Sequence, residues 1–364
     1  MTSVRLTAVG DLMFYGPLAA RMRATGDLLW GFRPLGDALW QGELLFGNLE
    51  TPISAQRRAE AGAPDCYFSP LGIGRALKDY GFDVVNLAHN HIYDFGAEGV
   101  ETTLQELAAA GLAHFGIGRD AEEAARPAIV TSGNGVTVGF LGYTTAHNAV
   151  DRRHAYVACP PSAARIARDV GSLRPRVGSV VVSCHTGSQF NPYPAPETRA
   201  LARAAIAAGA ALFLGHHPHV PQGWERIGDG LAVYSLGDFV APVHNQQTRR
   251  TMLVRVELDA GRVTSHELMP CYITDDCQTT PAEGPLHAEI AAHLAEISQA
   301  VADGRSDALH FAVARRRFFS QYVTSWADEF RRGGIRTPWR KFRNLRPYHL
   351  QLIWRIVWAS KPRA

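Results

Sequence analysis

The apolar run Ala210 to Leu214 leads straight into Gly215-His216-His217-Pro218-His219. A short uninterrupted run of this kind predicts a strand leaving a buried core, and the three imidazoles then stand on the loop beyond it. Imidazoles are poor packing groups, because each needs a polar partner once buried. At a strand end they suit a different purpose, with neutral ring nitrogens converging on a metal or a reacting group. A loop like this standing alone would read as a solvated His-rich turn. Here the same arrangement recurs along the chain.

Strand Val4–Val9 ends in Gly10-Asp11-Leu12-Met13, and a second strand from Glu43 ends in Asn48 and Glu50. A third, Asp83–Leu87, runs into His89-Asn90-His91 with Asp94 close behind, and Ser179–Ser183 runs into Cys184-His185. Strand Ala232–Ser235 is followed by Asp238. Helices are predicted over 70–80, 99–110, 162–170 and 197–208. Strand, polar loop and helix in alternation predict an α/β fold with its ligand crevice at the carboxyl ends of the strands. Two hairpins are expected. One turns at Gly133-Asn134-Gly135, where Asn-Gly satisfies positive φ, and the other at Asp259-Ala260-Gly261. Segments 51–64 and 146–161 read as loops. From about 276 the pattern changes to helices, over 285–303 and 308–332, so the chain divides into a sheet domain at 1–275 and a helical, basic region at 276–364.

At 364 residues, with 46% hydrophobic and 20% charged content, the chain has the make-up of a globular protein. No stretch approaches the roughly 18 apolar residues of a membrane span. The amino terminus starts directly on a strand, with no signal-peptide pattern. Five cysteines without a CxxC pair read as free thiols in a reducing compartment, so a cytoplasmic location is expected. Ten Lys/Arg and no acidic residue fall between Arg331 and Ala364. This Trp-rich tail suits nucleic acid, anionic lipid or an acidic peptide, and equally a solvated helical face; for the chain as a whole nucleic acid is not an expected partner.

The words at the strand ends, GDLM (10–13), GNLE (47–50), LAHNHIYDFG (87–96), CHTG (184–187), GHHPHVPQG (215–223) and YSLGDF (234–239), resemble the calcineurin-like metallophosphoesterase superfamily, in its poly-γ-glutamate capsule (CapA-like) branch. The resemblance covers about residues 4 to 241 and implies a four-layer α/β/β/α sandwich with metals at the carboxyl ends of two abutting sheets. By position it implies Asp11 and His219 as ligands of a first site and Glu50 in the bridging place. Asn90, His185 and His217 would form a second site, and His91, oriented by Asp94, would protonate a leaving group. His89 and His216 fall beside these positions as supporting groups. The sequence departs from the family pattern where Met13 replaces a histidine, where Glu50 replaces an aspartate, where CHTGSQF carries Thr186 and Gln189, and where SLGDF adds Asp238. One or two divalent ions (Ca²⁺, Mn²⁺ or Zn²⁺) are therefore expected.

Four functions follow as expectations. The favoured one is metal-assisted acid/base chemistry on a peptide, as in the branch's cytosolic epimerases associated with lasso-peptide biosynthesis, which invert the Cα of a C-terminal residue. Asp11 with His219 would act on one face and His91 with Asp94 on the other, with Asp238 able to replace one carboxylate. The others are hydrolysis of a small phosphoester, a role in capsule poly-γ-glutamate biosynthesis, and a binding module without turnover.

Overall fold

The computed structural model describes residues 3–39, 41–55, 66–145, 156–318 and 320. Side chains along each central strand split between two cores with period two. In strand Ser3–Leu12, Val4, Leu6 and Ala8 enter one core while Val9 and Leu12 enter another. Leu44 and Phe46 part from Leu45 and Leu49 in the same way, and Leu212 and Leu214 part from Phe213. Both faces of each strand are thus covered, which is why these strands read as continuous apolar runs.

The first core lies between two sheets. One sheet has eight strands in the order Thr279–Pro281, Arg262–Ile273, Arg250–Asp259, Ser3–Leu12, Leu44–Leu49, Val84–Asn86 and Ala113–Phe115, with the short strand Asp238–Val240 also paired to Ser3–Leu12. The other has six, in the order Trp224–Ile227, Gly230–Val233, Leu212–His216, Ser179–His185, Thr137–Thr144 and Ala128–Thr131. The Phe46 ring packs on Phe115 of its own sheet and on Phe140 of the other, at centroid separations of 6.2 and 5.9 Å. Helices Gly16–Thr25, Ile73–Tyr80 and Gly96–Ala110 cover the outer face of the first sheet. Helices Ala163–Leu173 and Pro196–Ala207 cover the outer face of the second. The expected α/β/β/α layering is the observed one.

The sheets meet at the carboxyl ends of their parallel strands, where backbone approaches backbone. A Cβ on Gly215 would lie 1.9 Å from the Tyr234 carbonyl oxygen, and one on Gly10 would lie 1.9 Å from that of Gly237. Glycine at these two places lets strands Ser3–Leu12 and Leu212–His216 both lie close against the 234–237 segment that leads into Asp238.

Several expected elements are longer or shorter than the sequence indicated. The helix expected over 70–80 starts at Ile73, and that over 162–170 runs Ala163–Leu173, with the Ser162 hydroxyl accepting from the Arg165 amide at 3.1 Å. In the Gly133-Asn134-Gly135 turn only Gly135 has positive φ, at 86°. Asn134 instead uses its side chain, whose Oδ1 accepts from the Ser132 hydroxyl and the Val136 amide. Helix Gly16–Thr25 and the 3₁₀ segment Trp30–Leu39 were not expected; in the second, Gly31, Pro34 and Gly36 mask the apolar spacing. Past residue 275 the chain adds strand Thr279–Pro281 to the first sheet, and helix Gly284–Ala302 contributes Ile290 and Leu294 to the core between the sheets. Helix Ser306–Phe318 follows. The expected basic tail lies outside the described residues, as do most of the 51–64 and 146–161 loops.

Replacing Phe46 by Ala removes the ring that joins the two sheets and is expected to cost about 3–5 kcal/mol in urea unfolding. Leu71→Ala, at a side chain 48% exposed, should change stability by no more than about 0.5 kcal/mol.

Candidate metal centre

Strand register lays out the site in two rows. Across the first sheet Asp11 stands beside Asn48 on one side and Asp238 on the other, and Asn48 stands beside Asn86. Across the second sheet His185 stands beside His216 and Thr144. Residues paired across strands project to the same face, so each row presents its polar groups together.

Asp11 is fully buried. Its Oδ1 accepts from Asn48 Nδ2 at 2.8 Å and meets His216 Nδ1 at 3.0 Å, and its Oδ2 accepts from the His217 amide at 3.3 Å. Burial pushes this carboxyl up, but the His216 hydrogen bond and charge, the field of His219 and the Asn48 contact outweigh it and hold the group at about 2. Asn48 ties the two rows together. Its Oδ1 accepts from Asn86 Nδ2 at 2.7 Å, and its Nδ2 stands 3.3 Å from His185 Nδ1.

Glu50 has the opposite environment. It is fully buried, and neither carboxylate oxygen has a hydrogen-bond partner among the described residues. Burial, reinforced by the charges of Asp11 and Asp238, pushes its carboxyl well above the usual range. Its Oε1 lies 3.3 Å from His185 Nε2 and 3.8 Å from His219 Nε2. A buried carboxylate without a partner is costly unless positive charge is placed against it.

The ligand atoms form two groups that share this residue. Asp11, Glu50 and His219 form one, and Glu50, His185 and His217 the other, with the atoms of each group within 4.8 Å of one another. Asn90 adjoins the second group, its Oδ1 2.7 Å from His185 Nε2. Burial drives His185 well below its ordinary range and His217 down to about 3, so both rings stay neutral with a lone pair to offer. The donors are carboxylate oxygen and imidazole nitrogen, which fits Mn²⁺ or Zn²⁺ and, on the oxygen-rich side, Ca²⁺.

Two imidazoles are backed by carboxylates. His219 Nδ1 meets Asp238 Oδ1 at 2.8 Å, which turns its Nε2 toward Glu50. Burial lowers the proton affinity of His219, but Asp238 and Asp11 raise it further, so the net direction is up. Burial likewise leaves the Asp238 carboxyl above its usual range in spite of His219. His91 Nδ1 meets Asp94 Oδ2 at 2.7 Å, and that oxygen also accepts from the Tyr67 amide at 2.9 Å. The backbone is strained where the ligands sit. His217 and His219 take φ of 94° and 58°, in the left-handed region that non-glycine residues rarely adopt.

Every residue expected at the site is found at this junction. Met13 is buried and its amide donates to the Val240 carbonyl at 2.7 Å. His216 supports Asp11 as described. His89 is buried with neither ring nitrogen partnered, its ring 6.2 Å from that of His185, and burial keeps it neutral. The sequence reading did not place Asn48 and Asn86 in the site, although GNLE carried the first in plain view. It also missed an arc of rings at the mouth. Tyr67 lies 4.7 Å from His91 and stacks on Tyr15 at 3.9 Å, the Tyr15 hydroxyl meets His244 Nε2 at 2.7 Å, and Phe190 lies 5.8 Å from His219. No local sequence signal marks these four.

The model of a bacterial capsule synthesis protein family, PGA_cap, matches residues 5–243. A capsule biosynthesis protein CapA of Bacillus anthracis is 28% identical over 74% of this chain and 67% of its own length. A probable polyglutamine synthesis accessory protein of Mycobacterium tuberculosis is 32% identical over 72% of this chain and 76% of its own. Among solved structures, a hypothetical protein from Thermus thermophilus covers 73% of this chain and 98% of its own at 17% identity, with a TM-score of 0.48.

The shared carboxylate generates a stoichiometry test. Metal-free protein dialysed against Mn²⁺ is expected to retain about two ions per chain by elemental analysis. His217→Ala should retain about one, because Asp11, Glu50 and His219 are left intact. Glu50→Gln should weaken both sites.

Proposed function

The chain belongs to the bacterial capsule synthesis protein family, and from that membership we propose that it is a divalent-metal-dependent acid/base enzyme acting on a carboxylate-bearing peptide. One observation carries the reading. Glu50 is buried with both oxygens unpartnered and lies within reach of two ligand groups. Asp11, Glu50 and His219 would hold one ion, and Glu50, His185, His217 and Asn90 the other. When bound, such ions supply Lewis-acid polarisation of a carbonyl or phosphoryl oxygen and lower the pKa of coordinated water. The peptide reading draws on the relatives' names, which refer to capsule and polyglutamine synthesis. Cys159, Cys184, Cys271 and Cys277 are buried thiols, and among the described residues no helix is long and apolar enough to cross a membrane.

The chain's own groups divide the remaining work. His91 presents Nε2 to the leaving atom as proton donor, while Asp94 fixes the proton on Nδ1 and so keeps the ring in register. Asp11, held ionised by His216 and Asn48, stays a charged ligand across the working pH range. The Tyr67 ring, itself stacked on Tyr15, lies against His91 and limits water there. Hydrolysis at a phosphoester or amide needs this one proton donor. The second carboxylate-backed ring, His219 with Asp238, favours a second reading, epimerisation at Cα, which needs proton-moving groups on two faces of one carbon.

An assay in D₂O with Mn²⁺ separates these outcomes. The substrates are a γ-glutamyl oligomer, a lasso-type precursor peptide and p-nitrophenyl phosphate mono- and diesters. Cleavage without Cα deuterium establishes hydrolysis, deuterium at one Cα without cleavage establishes epimerisation, and neither result with any substrate overturns the enzyme reading in favour of a binding module. Chelation should abolish turnover. His91→Ala should lower it about 10²–10⁴-fold, with Asp94→Asn acting in the same direction.

A further inference from the structure

The family match ends at residue 243, yet helix Ser306–Phe318 reaches back to the metal centre. It does so through the segment between Gly187 and Tyr193, which lies between this helix and the loop that carries His217 and His219. Arg317 Nη1 donates to the Gln189 carbonyl at 2.5 Å, and its guanidinium lies 4.9 Å from the centre of the Phe190 ring. Two turns back, His310 Nδ1 donates to the Tyr193 carbonyl at 2.9 Å, and the His310 carbonyl accepts from Asn191 Nδ2 at 3.1 Å. The base of the helix is held too, because Arg199 Nη1 donates to Asp307 at 2.8 Å and to Ser306 at 3.1 Å.

On its other side the segment is bonded to the ligand loop. The Phe190 amide donates to the Pro218 carbonyl at 2.6 Å, and Gln222 Nε2 donates to the Asn191 carbonyl at 2.7 Å. Phe190 adopts a φ of 55°, so three neighbouring non-glycine residues, Phe190, His217 and His219, all sit in the left-handed region. A conformation of this cost persists only where the surroundings over-determine it. The contacts above are those surroundings, and the helix supplies a large share of them.

We propose that Arg317 and His310 are positioning residues of the metal centre. Helix Ser306–Phe318 clamps 189–193 against 216–222, and the clamp sets where the Phe190 ring and the His219 imidazole stand. Its effect on ions should fall on the Asp11, Glu50 and His219 group, since Phe190 packs on His219. That second effect rests on the metal reading above, while the clamp itself does not.

Hydrogen exchange of the full-length, metal-free chain tests the clamp directly. Arg317→Ala should speed exchange in peptides covering 186–193 and 216–222 and leave strand Ser179–His185 at its wild-type rate, with Arg317→Lys intermediate. Phe190→Leu, which removes the ring contact with Arg317 but leaves the helix's hydrogen bonds to Gln189, Asn191 and Tyr193 in place, should speed 216–222 alone and keeps the test open if Arg317→Ala fails to fold. Change confined to 306–318, or no change in either loop, overturns the proposal. In parallel, titration with Co²⁺ followed by absorbance should show one of two sites weakened about 10–100-fold in Arg317→Ala. Equal loss at both sites overturns the assignment to His219. A wild-type chain that binds no Co²⁺ refutes the metal reading and leaves the exchange result to decide the clamp.

Discussion

The junction of the two sheets depends on a buried carboxyl group whose oxygens have no hydrogen-bond partner among the described residues. Glu50 lies at zero exposure beside Asp11 and Asp238, and each of the three would be easier to bury without the others. Asp11 is stabilised by a histidine, an asparagine and a backbone amide, and Asp238 by His219. Only Glu50 has both oxygens unpaired among the described carboxylates of this cluster, and it belongs to both ligand groups. The fold brings Asp11, Glu50 and Asp238 together with His185, His216, His217 and His219, and burial keeps His185 and His217 neutral, a donor set that suits a cation.

Substituting glutamate at the bridging position has a physical consequence. Its additional methylene carries the carboxylate farther from the strand end than aspartate would reach. Glu50 thereby falls within the contact range of both His185, on the second sheet, and His219, on the loop beyond it. With Met13 where the family word carries a histidine, Asp11, Glu50 and His219 still bring three ligand atoms within 4.8 Å of one another. The departures from the family words therefore leave two ligand groups standing.

The α/β alternation and the polar groups at the strand ends were legible in the sequence because both follow from local pattern, whereas the four layers were implied by the family resemblance. A strand buried on two faces must read as an apolar run, and a polar residue directly after it must lie at the strand's carboxyl end. Asp11, Glu50, Asn90, His91, His185, His217 and His219 could all be found in this way. Partners were less visible. That His216 supports Asp11 across 205 residues, or that Asp238 pairs with Asp11 and backs His219, depends on strand order, which no local pattern encodes. Tyr15, Tyr67, Phe190 and His244 were missed for a related reason. Their neighbours in sequence are loops, and only the tertiary fold makes them an arc.

Phe190 shows how far this dependence extends. Its sequence context, Gly187-Ser188-Gln189-Phe190-Asn191-Pro192, gives no reason for an aromatic ring to face His219. The ring is there because the amide of Phe190 is bonded to Pro218, between two strained histidines, while a guanidinium from a helix more than a hundred residues later packs against it. Strain in the ligand loop and order in the carboxyl-terminal helix are thus two sides of one arrangement. Left-handed backbone at Phe190, His217 and His219 is tolerable only while that helix is docked, and the site's geometry is accordingly a property of the chain through residue 317 and not of the sandwich alone.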